Sequence, residues 1–220
     1  MKLPVQLTLM LTLLVCLHTK AQQPPFYNDI QKFKQMDSAQ FPPANAILFV
    51  GSSSFTKWTD VQSYFPQHII INRGFGGSEL KDVIRYENDV IFPYQPKQVV
   101  IYCGENDFAY SDTIQVNTVV ARFTTLFTDI RNKWKDIPIA FVSMKPSASR
   151  EKLRTKYEAA NQLISSFLKT QSHAVYIDVY HAMLDSSGQP LADIFVGDQL
   201  HMNAKGYAIW QKIIEPYLIK

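Results

Sequence analysis

Five short apolar runs punctuate the chain, at residues 46–50, 68–72, 98–103, 137–143 and 174–179. Each has the length and the β-branched and aromatic content of a buried strand. Between them lie segments whose apolar residues recur at helical intervals, predicting helices over 80–91, 116–134 and 151–168. In the second of these, Val119, Phe123, Phe127 and Ile130 fall on one face. Strands that alternate with helices imply a mostly parallel sheet covered on both sides. The expected fold class is therefore α/β, a three-layer α/β/α sandwich around a five-stranded sheet.

An amphipathic stretch at 28–36 precedes the first strand and is separated from it by Pro42-Pro43. A last helix is expected over 203–217, with Asn203 as its cap and Pro216 near its end. No internal repeat or low-complexity tract breaks the pattern. In open α/β sheets ligands bind at the carboxyl ends of the strands. Here three such ends are small, polar and glycine-bearing: Gly51-Ser52-Ser53-Ser54, Gly74-Phe75-Gly76-Gly77-Ser78 and Gly104-Glu105-Asn106-Asp107.

The first residues do not fit this pattern. Met1-Lys2 leads into an uncharged run over residues 3–17, then Thr19-Lys20-Ala21. That run is shorter than the roughly 20 residues that span a bilayer, and Thr19 and Ala21 are small residues at the positions a signal peptidase reads. Residues 1–21 are expected to be a secretory signal peptide, cleaved after Ala21, with 22–220 forming a single domain. The product would be periplasmic or extracellular; lipidation of Cys16 is the competing reading, disfavoured by the bulk of Val15.

Cleavage removes two lysines and no acid, lowering the formal charge from +3 to +1. Nothing basic enough to neutralise a run of phosphates remains, which argues against nucleic acid or an anionic membrane as the main partner. Cys103 would be the one cysteine left, so no intrachain disulfide is available. Its setting in Val99-Val100-Ile101-Tyr102-Cys103 marks a buried strand residue.

Asp198-Gln199-Leu200-His201 places a carboxylate and an imidazole at a spacing suited to an acid that orients a catalytic base. His18 lies in the leader, and His68 and His173 run directly into strands, where they look structural; His181 and His201 remain. Other chemistries lack their signatures. Glu79 stands where a dinucleotide fingerprint needs its third glycine, and no phosphate-binding Gly-Lys-Ser/Thr occurs. No ligand spacing of a metal site is present, and no Gly-x-Ser-x-Gly elbow. Neither a metal nor another cofactor is expected.

What remains is a serine after the first strand, glycine-bearing turns, an asparagine after the third strand, and Asp-x-x-His near the C-terminus. In that order these four blocks resemble the SGNH (GDSL-like) hydrolases, and the likeness runs from about residue 46 to the C-terminus. The resemblance implies a flavodoxin-like sheet and a serine esterase or acylhydrolase. By position it implies Ser53 as nucleophile, His201 as base, Asp198 as its orienting acid, and an oxyanion hole from the Ser53 N–H, the Gly77 N–H and the Asn106 side chain. The family's aspartate before the nucleophile is here Ser52, which makes Ser52 and Ser54 rival assignments. Glu105 and Asp107 are read as extended backbone and receive no catalytic role. A short helix over 55–62 would direct its positive end toward Ser53.

The resemblance further implies carboxylic ester or thioester substrates, hydrolysed through an acyl-enzyme. Export, near-neutral charge and the lack of an apolar lid favour a short acyl or acetyl group on a soluble or glycan substrate. A lysophospholipase or thioesterase is the alternative, as is a non-catalytic carbohydrate-binding protein on the same fold. Phe55, Trp58, Phe75, Phe108 and Tyr110 lie close to the motifs as candidate sugar-stacking residues or as core.

Overall fold

The computed structural model describes residues 23–220. The expected leader, with Cys16 and His18, lies outside the described residues. Five parallel strands, β1 (Ile47–Gly51), β2 (Ile70–Gly74), β3 (Gln98–Tyr102), β4 (Ile139–Val142) and β5 (Ala174–Ile177), form one sheet in the order β2-β1-β3-β4-β5. They match the five apolar runs with shifts of one or two residues.

Helices connect and cover them: α1 (Tyr27–Ala39), α2 (Ser53–Thr56), α3 (Val61–Tyr64), α4 (Leu80–Arg85), α5 (Glu87–Val90), α6 (Glu105–Ala109), α7 (Val116–Lys133), α8 (Arg154–Leu168) and α9 (Ala204–Ile214). Alternate strand residues feed two cores. Leu48, Val50, Val99, Ile101, Ile139 and Phe141 pack against the apolar stripes of α7 and α8 and against Ile30, Leu80 and Val83. Ile47, Phe49, Val100, Tyr102, Ala140 and Val142 pack on the other face with Phe55, Trp58, Tyr207 and Trp210. Period-two burial on both faces explains why the strands read as continuous apolar runs. Asn203 caps α9, accepting from the N–H groups of Lys205 and Gly206.

Three expected elements differ in detail. The helix over 80–91 breaks at Tyr86, whose buried ring meets Phe75 edge-on and whose hydroxyl donates to the Pro25 carbonyl. The helix over 55–62 is two single turns, α2 and α3, parted where Trp58 turns into the core and stacks on Tyr207. The segment 148–153 is a 3-10 turn, interrupted at Arg150, that leads into α8. Among the described residues no helix is long and apolar enough to cross a membrane.

β1 is the point at which strand order reverses: the chain moves outward to β2, then crosses back to β3 on the opposite side. A crevice opens at such a switch, outside the carboxyl ends. Register brings the three glycine-bearing ends together there, since Gly51 pairs with Gly74 on one side and Tyr102 on the other.

Candidate active site

Gly51 ends β1 at φ 141°, and a Cβ on it would lie 1.9 Å from the Tyr102 carbonyl oxygen, so only glycine fits this exit. Ser52 follows in extended geometry, and Ser53 opens the single turn α2 with its hydroxyl half-buried at the surface. The Ser53 Oγ is 3.1 Å from His201 Nε2. His201 Nδ1 is 2.6 Å from Asp198 Oδ2, while Asp198 Oδ1 accepts from the N–H groups of Leu200 (2.9 Å) and His201 (2.8 Å). Gln199, at φ 53°, makes this tight turn possible. Partial burial works against the Asp198 carboxylate, but the bonds from the His201 ring and from the two backbone N–H groups outweigh it and hold the carboxyl well below the usual range.

The rival serines point elsewhere. Ser52 Oγ is buried and accepts from Asn106 Nδ2 at 2.8 Å, and Ser54 is buried as well. Ser52 therefore joins the first and third blocks through a neutral hydrogen bond where an aspartate would do so with charge. The second Asn106 amide proton goes to the Ser78 carbonyl at 3.1 Å, and its Oδ1 accepts from Arg150 at 2.7 Å. Asn106 thus stands next to the serine turn with its amide engaged, rather than as a free donor. Among the described residues the backbone N–H groups of Ser53 and Gly77 have no partner. Gly77 sits at φ 90°, below the Tyr110 hydroxyl.

Glu105 and Asp107 lie on the first turn of α6, not on extended backbone as expected, and helical geometry splays them. Asp107 is buried, accepting from Arg122 (2.6 Å) and the Leu80 N–H (2.9 Å). Glu105 accepts from the Tyr102 hydroxyl and the Lys145 N–H, with Lys145 Nζ 3.3 Å and Arg150 3.7 Å away. Burial opposes the charge on Glu105, yet these two cations hold its pKa below the ordinary value. Of the five aromatic candidates, Phe55, Trp58, Phe75 and Phe108 are fully buried core residues, which removes them as stacking surfaces; Tyr110 is exposed. A cleft of about 660 Å³ opens beside it, lined by Phe108, Tyr110, Asp112, Ser149, Arg150 and Lys152.

Arg150 escaped sequence reasoning because nothing in its local pattern points at the third strand end, 44 residues earlier. A second pair was legible but unweighed: Asp178 and His181 have the same Asp-x-x-His spacing as Asp198 and His201. His181 Nδ1 lies 2.6 Å from Asp178 Oδ2. They border a separate cleft of about 400 Å³ with Glu158, Tyr176 and Tyr180. Among the described residues no hydroxyl meets the other nitrogen of His181, so spacing alone does not select the pair that faces a serine. Cys103 is buried, its thiol pKa pushed up by burial. His68 is buried ahead of β2, and His173 sits exposed at a left-handed turn directly before β5. No group of three or more metal-ligating side chains occurs among the described residues.

The model of the GDSL-like Lipase/Acylhydrolase family matches residues 47–209. Among curated proteins none matches the chain by sequence. Similar solved structures include a Streptococcus pneumoniae protein provisionally described as a platelet activating factor (TM-score 0.76, 19% identity, covering 87% of this chain and 92% of that one). A GDSL-like lipase from Bacteroides thetaiotaomicron aligns with TM-score 0.70 and 18% identity over 86% and 96% of the two chains. A variant of an acetyl-xylooligosaccharide esterase from Geobacillus stearothermophilus aligns with TM-score 0.63 and 13% identity over 81% and 96%. At these identities the likeness is one of fold.

Proposed function

Since the chain belongs to the GDSL-like lipase/acylhydrolase family and is an ester hydrolase by that membership, we propose that it is an exported serine esterase that removes short acyl groups, acetyl above all, from carbohydrate or other soluble esters. The observation that carries the reading is the continuous path Ser53 Oγ, His201 Nε2, His201 Nδ1, Asp198 Oδ2, with links of 3.1 and 2.6 Å.

Ser53 attacks the ester carbonyl as His201 takes its proton; the imidazolium then protonates the leaving alcohol, and an acyl ester remains on Ser53. Water, deprotonated by the same imidazole, attacks this ester and releases the acid. Asp198 keeps the ring proton on Nδ1, leaving Nε2 as acceptor. The free N–H groups of Ser53 and Gly77 stabilise the tetrahedral oxyanion, and Asn106 joins them by exchanging its bond to Ser52 for one to the anion. The base and its orienting acid have no use in a carbohydrate-binding protein.

Three features support the substrate class. The cleft carries the charged side chains Asp112, Arg150, Glu151 and Lys152 among apolar ones, a mixed lining that suits a hydrated substrate better than a long acyl chain. Tyr110 offers an exposed ring at its edge. One structural neighbour is an acetyl-xylooligosaccharide esterase. Export rests on the leader sequence at residues 1–21.

Hydrolysis of p-nitrophenyl acetate is expected to be lost in Ser53→Ala and His201→Ala; equal activity in all three proteins defeats the enzyme reading. Acetate release from acetylated xylo-oligosaccharides, set against a series of acyl chain lengths, tests the substrate. A strong preference for long chains overturns it, and Tyr110→Ala is expected to raise KM for the sugar ester and not for p-nitrophenyl acetate.

A further inference from the structure

Arg150 lies in the turn between β4 and α8, far in sequence from every block of the site, yet its guanidinium donates to Asn106 Oδ1 at 2.7 Å. It is itself held 3.7 Å from Glu105, which is anchored in turn by the Tyr102 hydroxyl and Lys145. The neighbouring Ser149 donates through its N–H (3.3 Å) and its hydroxyl (3.1 Å) to the carbonyl of Gln199, inside the Asp198–His201 turn. One short segment therefore grips both arms of the site.

A carboxamide has two orientations of nearly the same shape, differing by exchange of oxygen and nitrogen. A guanidinium carries donors only. With Arg150 against Oδ1, the reversed orientation would set N–H against N–H and give up a charge-assisted bond. The amide nitrogen is thereby aimed at Ser52 and Ser78, next to the Ser53 turn. Arg150 and Lys145 share one carboxylate, Glu105, so this cluster holds two cations against one anion where it meets Asn106 Oδ1.

We propose that Arg150 is a positioning residue for acyl transfer: it fixes the orientation of the Asn106 carboxamide and polarises its N–H bonds toward the oxyanion. The inference rests on the serine-esterase reading above. Because the interaction strengthens as the oxyanion forms, its loss is expected in kcat rather than KM.

The test compares Arg150→Met, Arg150→Lys, Asn106→Ala and the double variant Arg150→Met/Asn106→Ala on p-nitrophenyl acetate, with Ser53→Ala as blank. Arg150→Met is expected to lower kcat roughly 10- to 100-fold, up to the loss of a whole oxyanion donor, with KM nearly unchanged. The double variant is expected to be no slower than Asn106→Ala alone, because Arg150 acts through that side chain. Millimolar guanidinium is expected to restore part of the rate in Arg150→Met and none in Asn106→Ala. Should Arg150→Met not fold, Arg150→Lys, which keeps the charge and loses the fork, replaces it in the same cycle. Multiplicative losses in the double variant, or an unchanged kcat in the folded single variant, overturn the proposal. Retention of full activity in Ser53→Ala instead overturns the esterase reading beneath it.

Discussion

Replacement of Asp198 by asparagine separates the orientation of the base from the shape of the turn. Asp198 makes two kinds of bond: Oδ1 accepts from the Leu200 and His201 N–H groups, and Oδ2 from the imidazole. In Asp198→Asn the side-chain oxygen keeps the two backbone bonds, so the amide nitrogen faces His201 Nδ1. The ring must then leave Nδ1 bare and carry its proton on Nε2, the nitrogen 3.1 Å from Ser53 Oγ. An imidazole that donates to the serine cannot deprotonate it. The same tautomer inversion in serine proteases costs about 10⁴-fold in kcat, or roughly 5 kcal/mol of transition-state stabilisation. The fold itself loses only the charge on three retained contacts, about 1 kcal/mol, which for a chain of this size lowers Tm by roughly 2–4 °C. The assay is kcat on p-nitrophenyl acetate at neutral pH, with a fluorophosphonate probe to count reactive Ser53 and a thermal melt as control. A kcat within tenfold of the wild type in folded protein would refute the tautomer argument.

Three further outcomes concern stability. Asn203→Ala removes the cap of α9 and is expected to cost about 1 kcal/mol, seen as a fall in Tm of roughly 2–4 °C; no change means that the two backbone bonds are replaced by water. Asp37 accepts from the buried Arg73 and, at 2.5 Å, from Tyr94, tying α1 to the end of β2. Asp37→Ala strands that cation and is expected to destabilise by roughly 3–5 kcal/mol in urea unfolding, whereas a loss below about 1 kcal/mol would mean that Arg73 reaches solvent. The Asp198 carboxyl titrates lower in the folded chain than in the unfolded one. In the acidic window the unfolded state binds more protons, so the stabilisation is present above about pH 4 and is lost as the pH falls toward the folded value. Between about pH 5 and pH 3, Asp198→Asn should therefore lose Tm less steeply than the wild type; parallel curves would count against it.

The sheet was legible because the inner strands β1, β3 and β4 bury both faces and so read as continuous apolar runs, and the long helices because their stripes keep a helical period. Breaks were not legible, since Tyr86 and Trp58 leave helical geometry to reach tertiary partners, Phe75 and Tyr207, that lie elsewhere in the chain. The serine, the glycine turn and the asparagine were readable as residue types at strand ends, and the Asp-x-x-His pair as a spacing ahead of the last helix. Their contacts were not. That Ser52 takes an amide proton of Asn106, and that Arg150 reaches the same side chain, depends on the register of β1 against β3 and on the path of the β4–α8 turn. The extended reading of Glu105 and Asp107 failed because the chain becomes helical immediately after Gly104, at φ 128°.

The repeated acid–imidazole pair matters for how this protein can be probed. His181 and His201 have equal 2.6 Å links to their aspartates, but the side chain of His181 is 78% exposed and that of His201 17%. An imidazole-directed acylating reagent will modify His181 before His201, so stoichiometry of modification is no guide to inactivation. Magnetic resonance turns the same redundancy to advantage. Each ring holds its Nδ1 proton against a carboxylate, and a single spectrum contains both, one beside a serine and one without. His181 serves as an internal reference in the same tube, at the same pH and temperature, against which the effect of Ser53 on an imidazole can be read directly.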